Sequence, residues 1–222
     1  MALAELEPKA KPSGIVIRNN KMSVDMSGPS YIHVGEQIAY HRFGHGRSVL
    51  LIHECANDAE VAEHLVLVDT IAYDSFPEPG IARLKDPVWD GILSEPDFDL
   101  QKGLTKGFTR GMVHKERITP ELIAAYERPF RGVEGRLAYL RAARTLRTED
   151  LSARMNEIEK LSIPTLIVWG AEDVFQPIHY GTRLAAAMPR ARFEKIERTG
   201  HFLPEDEPTV VARLIADFVR SN

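Results

Sequence analysis

Three short runs in this chain are apolar on every residue that would face either side of a sheet: "VLLIH" from Val49, "HLVLVD" from His64 and "IPTLIVWG" from Ile163. A strand wetted on one face alternates apolar and polar residues. A run that does not alternate is covered on both faces, which is the condition of strands in a parallel sheet flanked by helices. "HYGTRLAAAMP", "ARFEKIER" and "PTVVARLIADFVRS" follow the last run and read as helix, short strand and closing helix. Strand and helix in alternation define an α/β sheet with crossover connections.

Upstream, "SYIHVGEQIAYHRFG" (Ser30 to Gly44) alternates around Gly35 and Glu36 and reads as two antiparallel strands. Residues 1–28 are rich in Pro, Lys, Glu and Ala and are expected to form a flexible tail. From Thr70 to about Lys160 the pattern turns helical. In "TPELIAAYERPF", Thr119 stands as N-cap with Pro120 at the first helical position. In "GRLAYLRAARTL", Leu137, Leu140 and Ala143 share one face. The expected organisation is a sheet-bearing core of residues 29–69 and 161–222, with residues 70–160 inserted as a helical cap.

Composition excludes several functions. The 28 basic and 32 acidic residues leave a net charge of −4, with no basic stripe for nucleic acid. No run approaches the length of a membrane span, and "MALAELEPKAKPSG" lacks the apolar stretch of a secretory signal. A single cysteine, Cys55, permits no internal disulfide, so a cytoplasmic setting is expected.

Two side chains stand where an α/β sheet collects ligands, at the carboxyl ends of strands. Asp173 follows "IPTLIVWG" by three residues, and His201 follows "ARFEKIER" within "RTGHFLPEDEP". A carboxylate that holds an imidazole's tautomer is half of a nucleophilic triad. The alternatives are a turn-capping aspartate and a loop histidine bonded to backbone.

"IPTLIVWGAEDVFQP", "MPRARFEKIERTGHFLPEDEP" and the terminal helix resemble the end of the α/β-hydrolase fold, in the branch of haloalkane dehalogenases, epoxide hydrolases, C–C hydrolases and small esterases. "IHVGEQIAYHRFGHGRSVLLIH" resembles its opening strands, and "AEHLVLVD" its sixth strand before a cap. The resemblance implies a mostly parallel sheet with a helical cap, Asp173 as triad acid, His201 as triad base, a small organic substrate with an ester, carbon–halogen, epoxide or C–C bond, and neither metal nor organic cofactor.

Two departures bear on activity. Glu54 follows His53 where the family continues with glycine into its oxyanion loop. The nucleophile elbow, G-x-S-x-G or G-x-D-x-G, occurs nowhere in the chain. The join from "LLIH" to "HLVLVD", Glu54 to His64, is eleven residues long, where the family has several further strands and helices. Internal loss of the central strands is the simplest account. Cys55 or Glu54 could stand in chemically, Asp69 at the end of "LVLVD" is a second candidate acid, and Trp89, Phe98, Phe108, Tyr126 and Phe130 could line an apolar pocket. The expected function is therefore a hydrolase by descent, weak or inactive without its nucleophile. The alternative is an inactive truncated form or pseudoenzyme that binds a small molecule or protein. Exposed strand edges at the shortened sheet would favour self-association.

Overall fold

The computed structural model describes residues 63–76, 78–144 and 153–221 in full. It gives the backbone alone for 15–18, 21–24, 30–34, 36–40, 49–52, 145 and 148–152. Contacts divide the chain into two compact units, residues 1–47 and 48–222.

The first unit holds two antiparallel pairs: β1 (Ile15–Arg18) with β2 (Lys21–Val24), and β3 (Ser30–Val34) with β4 (Glu36–Tyr40). The β3–β4 pair is the one expected around Gly35. The β1–β2 pair lies inside the stretch expected to be a loose tail. Ile15, Val16, Ile17 and Val24 are β-branched residue types, which favour extended backbone.

In the second unit four parallel strands lie in the order β5 (Val49–Ile52), β6 (His64–Val68), β7 (Thr165–Gly170), β8 (Ala191–Ile196). β5 pairs directly with β6, Leu50 opposite Leu65, so the two strands flanking the short join are sheet neighbours. β6 and β7 are buried along their whole length. Leu65, Leu67, Ile167 and Trp169 point to one face, where they pack with Met155, Leu184 and Met188. Val66, Val68, Leu166 and Val168 point to the other, against Leu203, Val211 and Phe218. Each such side chain removed from water contributes roughly 1.5–3 kcal/mol. The period-two split of two apolar strands explains why neither alternates in sequence.

The chain between β6 and β7 is helical: α1 (Pro79–Ala82), α2 (Val88–Ser94), α3 (Leu100–Gly111), α4 (Pro120–Glu127), α5 (Gly132–Thr145) and α6 (Thr148–Ile158). Thr119 Oγ1 accepts from the Leu122 amide, the cap expected for α4. Leu84, Leu93, Leu140 and Ala143 form a core within this segment. Buried Arg136 ties α5 to the end of α2 by donating to the Leu93 and Glu95 carbonyls, both at 2.7 Å. α6 and α7 (His179–Ala187) cover one face of the sheet, and α8 (Leu203–Asp206) and α9 (Pro208–Ser221) the other. Among the described residues no helix is long and apolar enough to cross a membrane.

Candidate active site

The site is built where β7 and β8 end. Past Gly170 the chain stays bonded to the β8 side: the Ala171 amide donates to Ile196 O and the Glu172 amide to Thr199 O. Gly170 is obligatory here, since a Cβ would lie 2.3 Å from the Gly200 carbonyl oxygen. The turn delivers Asp173, whose Oδ1 accepts from the amides of Phe175 (2.7 Å) and Gln176 (2.8 Å). Its Oδ2 lies 2.9 Å from His201 Nδ1. The Asp173 side chain is wholly buried and that of His201 is 8% exposed. A carboxylate can only accept, so Nδ1 carries the proton and the ring's basic position is Nε2. Asp173 therefore both caps its turn and orients the imidazole, uniting two roles that the sequence left as alternatives.

His201 is held by its backbone as well. Its amide donates to Gly111 O at 2.7 Å, at the end of α3. Phe175 and Phe202 meet the imidazole edge-on, with centroids 5.2 and 5.3 Å away. Phe202 in turn stacks on Phe108 at 4.2 Å.

His201 opens onto a cavity of about 720 Å³ between the strand ends and the helical segment. Trp89, Phe98, Phe108, Tyr126 and Phe130, the five aromatics singled out in the sequence, all line it. Its wall along α3 includes Gly103 and Gly107, where a Cβ would meet nothing within 4 Å. Arg110, paired with Glu78 at 2.8 Å, lies over the Phe175 ring at 4.6 Å, so its charge at the cavity wall is compensated.

Asp69, the second candidate acid, is fully buried at the end of β6 with φ of +40°. Its Oδ1 accepts from the Gly170 amide (2.8 Å) rather than from His201, and Oδ2 has no partner among the described residues. Burial, and then the nearby Asp173 charge, push its carboxyl well above the usual range. His53, Glu54 and Cys55 lie outside the described residues. The pentads "GLTKG" and "GFTRG" place Thr105 and Thr109 at the centre of an elbow-like spacing, but both are exposed within the unbroken helix α3 rather than on a strand-to-helix turn. Among the described residues no group of three or more His, Cys, Asp or Glu could hold a metal ion. Sequence reasoning did not single out Phe175, Gln176 or Asp206. The first two stand in "DVFQP" and the third in "GHFLPED", so proximity to Asp173 and His201 was the available signal.

The profile of the alpha/beta hydrolase family matches residues 37–214. The chain belongs to the alpha/beta hydrolase family. Among curated proteins this alpha/beta hydrolase is 29% identical over 120 residues to the uncharacterized hydrolase YugF of Bacillus subtilis, an alignment covering 54% of this chain and 43% of YugF. It is also 29% identical over 134 residues to the 2-hydroxy-6-oxo-6-phenylhexa-2,4-dienoate hydrolase of Burkholderia cepacia, covering 59% and 45% respectively. The chain thus spans less than half the length of these relatives. An alpha/beta hydrolase fold protein from Burkholderia ambifaria superposes with a TM-score of 0.61 at 21% identity, covering 70% of this chain and 57% of that one. These likenesses agree with the family to which the sequence motifs pointed.

Proposed function

We propose that this chain carries the acid–base half of a nucleophilic hydrolase site, with Asp173 as the orienting acid and His201 as the base, serving a small organic molecule with a bulky apolar part. The supporting observation is the buried 2.9 Å contact between Asp173 Oδ2 and His201 Nδ1 at the mouth of an aromatic-lined cavity. In this reading His201 Nε2 takes a proton from a water or a nucleophile, and Asp173 steadies the imidazolium that forms. Residues 70–160 act as the cap that shields the reacting bond from bulk water. The scissile bond is an ester, carbon–halogen, epoxide or C–C bond. The C–C hydrolases among the relatives favour a substrate with a carbonyl beside that bond.

No elbow serine or aspartate exists in the sequence, so the rate is expected to be far below that of an intact triad. Binding and positioning alone still leave a residual acceleration in such sites. A second reading, a binding module that no longer turns over, draws on that same absence together with the intact cavity.

The test is an assay on activated esters and haloalkanes with the wild-type chain, His201→Ala and Cys55→Ala, alongside Trp89 fluorescence with an apolar ligand. Turnover lost in His201→Ala supports the base. Loss in Cys55→Ala identifies an unusual nucleophile. Saturable quenching of Trp89 without turnover in any variant leaves the binding module. Turnover undiminished by His201→Ala ends the acid–base reading.

A further inference from the structure

A second buried carboxylate lies next to the site and takes no part in the chemistry above. Asp206 is wholly buried at the end of α8. Its Oδ1 accepts from the His114 amide at 2.9 Å and the Val113 amide at 3.1 Å. Its Oδ2 accepts from the Val113 amide at 3.0 Å and the Gly200 amide at 2.7 Å. Three backbone donors from two segments, one of them more than ninety residues away, therefore converge on one side chain. Gly200 is the residue before His201. Val113 and His114 follow α3, whose Gly111 carbonyl accepts from the His201 amide itself.

The two segments are in backbone contact. A Cβ on Gly200 would stand 2.0 Å from the Gly111 carbonyl oxygen. Main chain this close holds only if its polar groups are satisfied, because a buried amide without an acceptor costs as much as a lost hydrogen bond. Asp206 supplies those acceptors, and as a charged group it does so more strongly than a neutral carbonyl would.

We propose that Asp206 is a positioning residue for His201: its carboxylate latches the helical segment to the His201 loop, so that the imidazole reaches Asp173 only when that segment is docked. The inference rests on the reading of His201 as the base, but its physical content, the aim of the ring, is measured without turnover. A consequence is that motion of α3 and motion of the imidazole are one event. Any opening of the cavity on the α3 side that breaks the Asp206 bonds also releases the ring.

The test uses the full chain with ¹⁵N-labelled histidine. The signal is the low-field Nδ1 proton of His201, which reports its bond to Asp173. Asp206→Asn keeps the shape but turns one acceptor oxygen into a donor facing amide hydrogens. The expected result is a lost or displaced Nδ1 proton signal, and about tenfold or greater loss of hydrogen-exchange protection at Gly200. Leu184→Ala, which loosens the opposite face of the sheet, is expected to leave that signal in place. An unchanged His201 signal in Asp206→Asn overturns the proposal, and so does an equal change in Leu184→Ala. Should Asp206→Asn fail to fold, wild-type exchange decides: the amides of Gly200, Val113 and His114 are expected to open together. Gly200 exchanging about tenfold faster than the other two would overturn the latch. Failure of the hydrolase reading would show in the assays alone and leave the ring signal intact.

Discussion

The end of β7 and the length of β6 are neighbours in one sheet, yet they treat their polar groups differently. Past β7, Asp173 accepts from two amides and meets His201 with Oδ2. Along β6, among the described residues, His64 is buried with both ring nitrogens unpartnered, Asp69 Oδ2 has no donor, and Thr70 Oγ1 has no partner. Gln176 Oε1 is the remaining unpartnered buried side-chain atom among the described residues. β6 is also the strand that follows the short join. The comparison teaches that strand pairing and polar satisfaction are separate conditions: β5 and β6 pair in register, while among the described residues buried polar side chains at both ends of β6 have no hydrogen-bond partner.

The largest expected effect tests the satisfied side. Asp173→Ala strands the Phe175 and Gln176 amides and the His201 ring in a buried site, and should cost about 3–5 kcal/mol in urea unfolding. A loss under about 1 kcal/mol would mean that water replaces the carboxylate freely.

On the unsatisfied side the sign reverses. The folded state raises the Asp69 carboxyl above its ordinary value of 3.8, so its contribution is fully present below that value and is lost as pH rises through the folded one. Asp69→Asn keeps an acceptor for the Gly170 amide and tolerates the positive φ. It is expected to gain stability at pH 7 and none at pH 3. Equal stability of the two proteins at both pH values would dissolve the contrast between the strands. His64→Leu should gain about 1 kcal/mol by removing an imidazole that has no partner, provided the new side chain keeps the contact with Phe218. A loss in thermal unfolding would imply a donor or acceptor reaching His64. Smallest is Gly91→Ala on α2, expected to gain about 0.5–1 kcal/mol of helix propensity, since its Cβ meets no atom within 4 Å. It leaves both strands untouched and so calibrates the other variants.

Much of the sheet was legible because its signals are local. "IPTLIVWG" and "HLVLVD" advertise burial by their lack of alternation, and Thr119–Pro120 announces α4. Asp173 and His201 could be chosen because each follows a strand end. α3 was not legible: "LQKGLTKGFTRG" carries three glycines and two threonines, poor helix formers, and the helix is held by contacts from Phe108 and Met112 to Ile123 and Phe202, remote in sequence. The Asp206 latch was hidden for the same reason, because two of its three partners, Val113 and His114, lie more than ninety residues away. Which of Asp69 and Asp173 orients His201 depends on a 2.9 Å contact, which spacing does not encode.

The glycines around the histidine divide into two kinds, and this division says where the molecule can be re-engineered. Gly111, Gly170 and Gly200 sit where any added carbon would collide with ring or main-chain atoms at 2.0–2.6 Å. Directed evolution should find these three immutable. Gly107 and Gly103, one and two turns back along α3, border empty space. Libraries aimed at what the cavity admits belong at those two positions, which line it and where an added Cβ meets no atom within 4 Å.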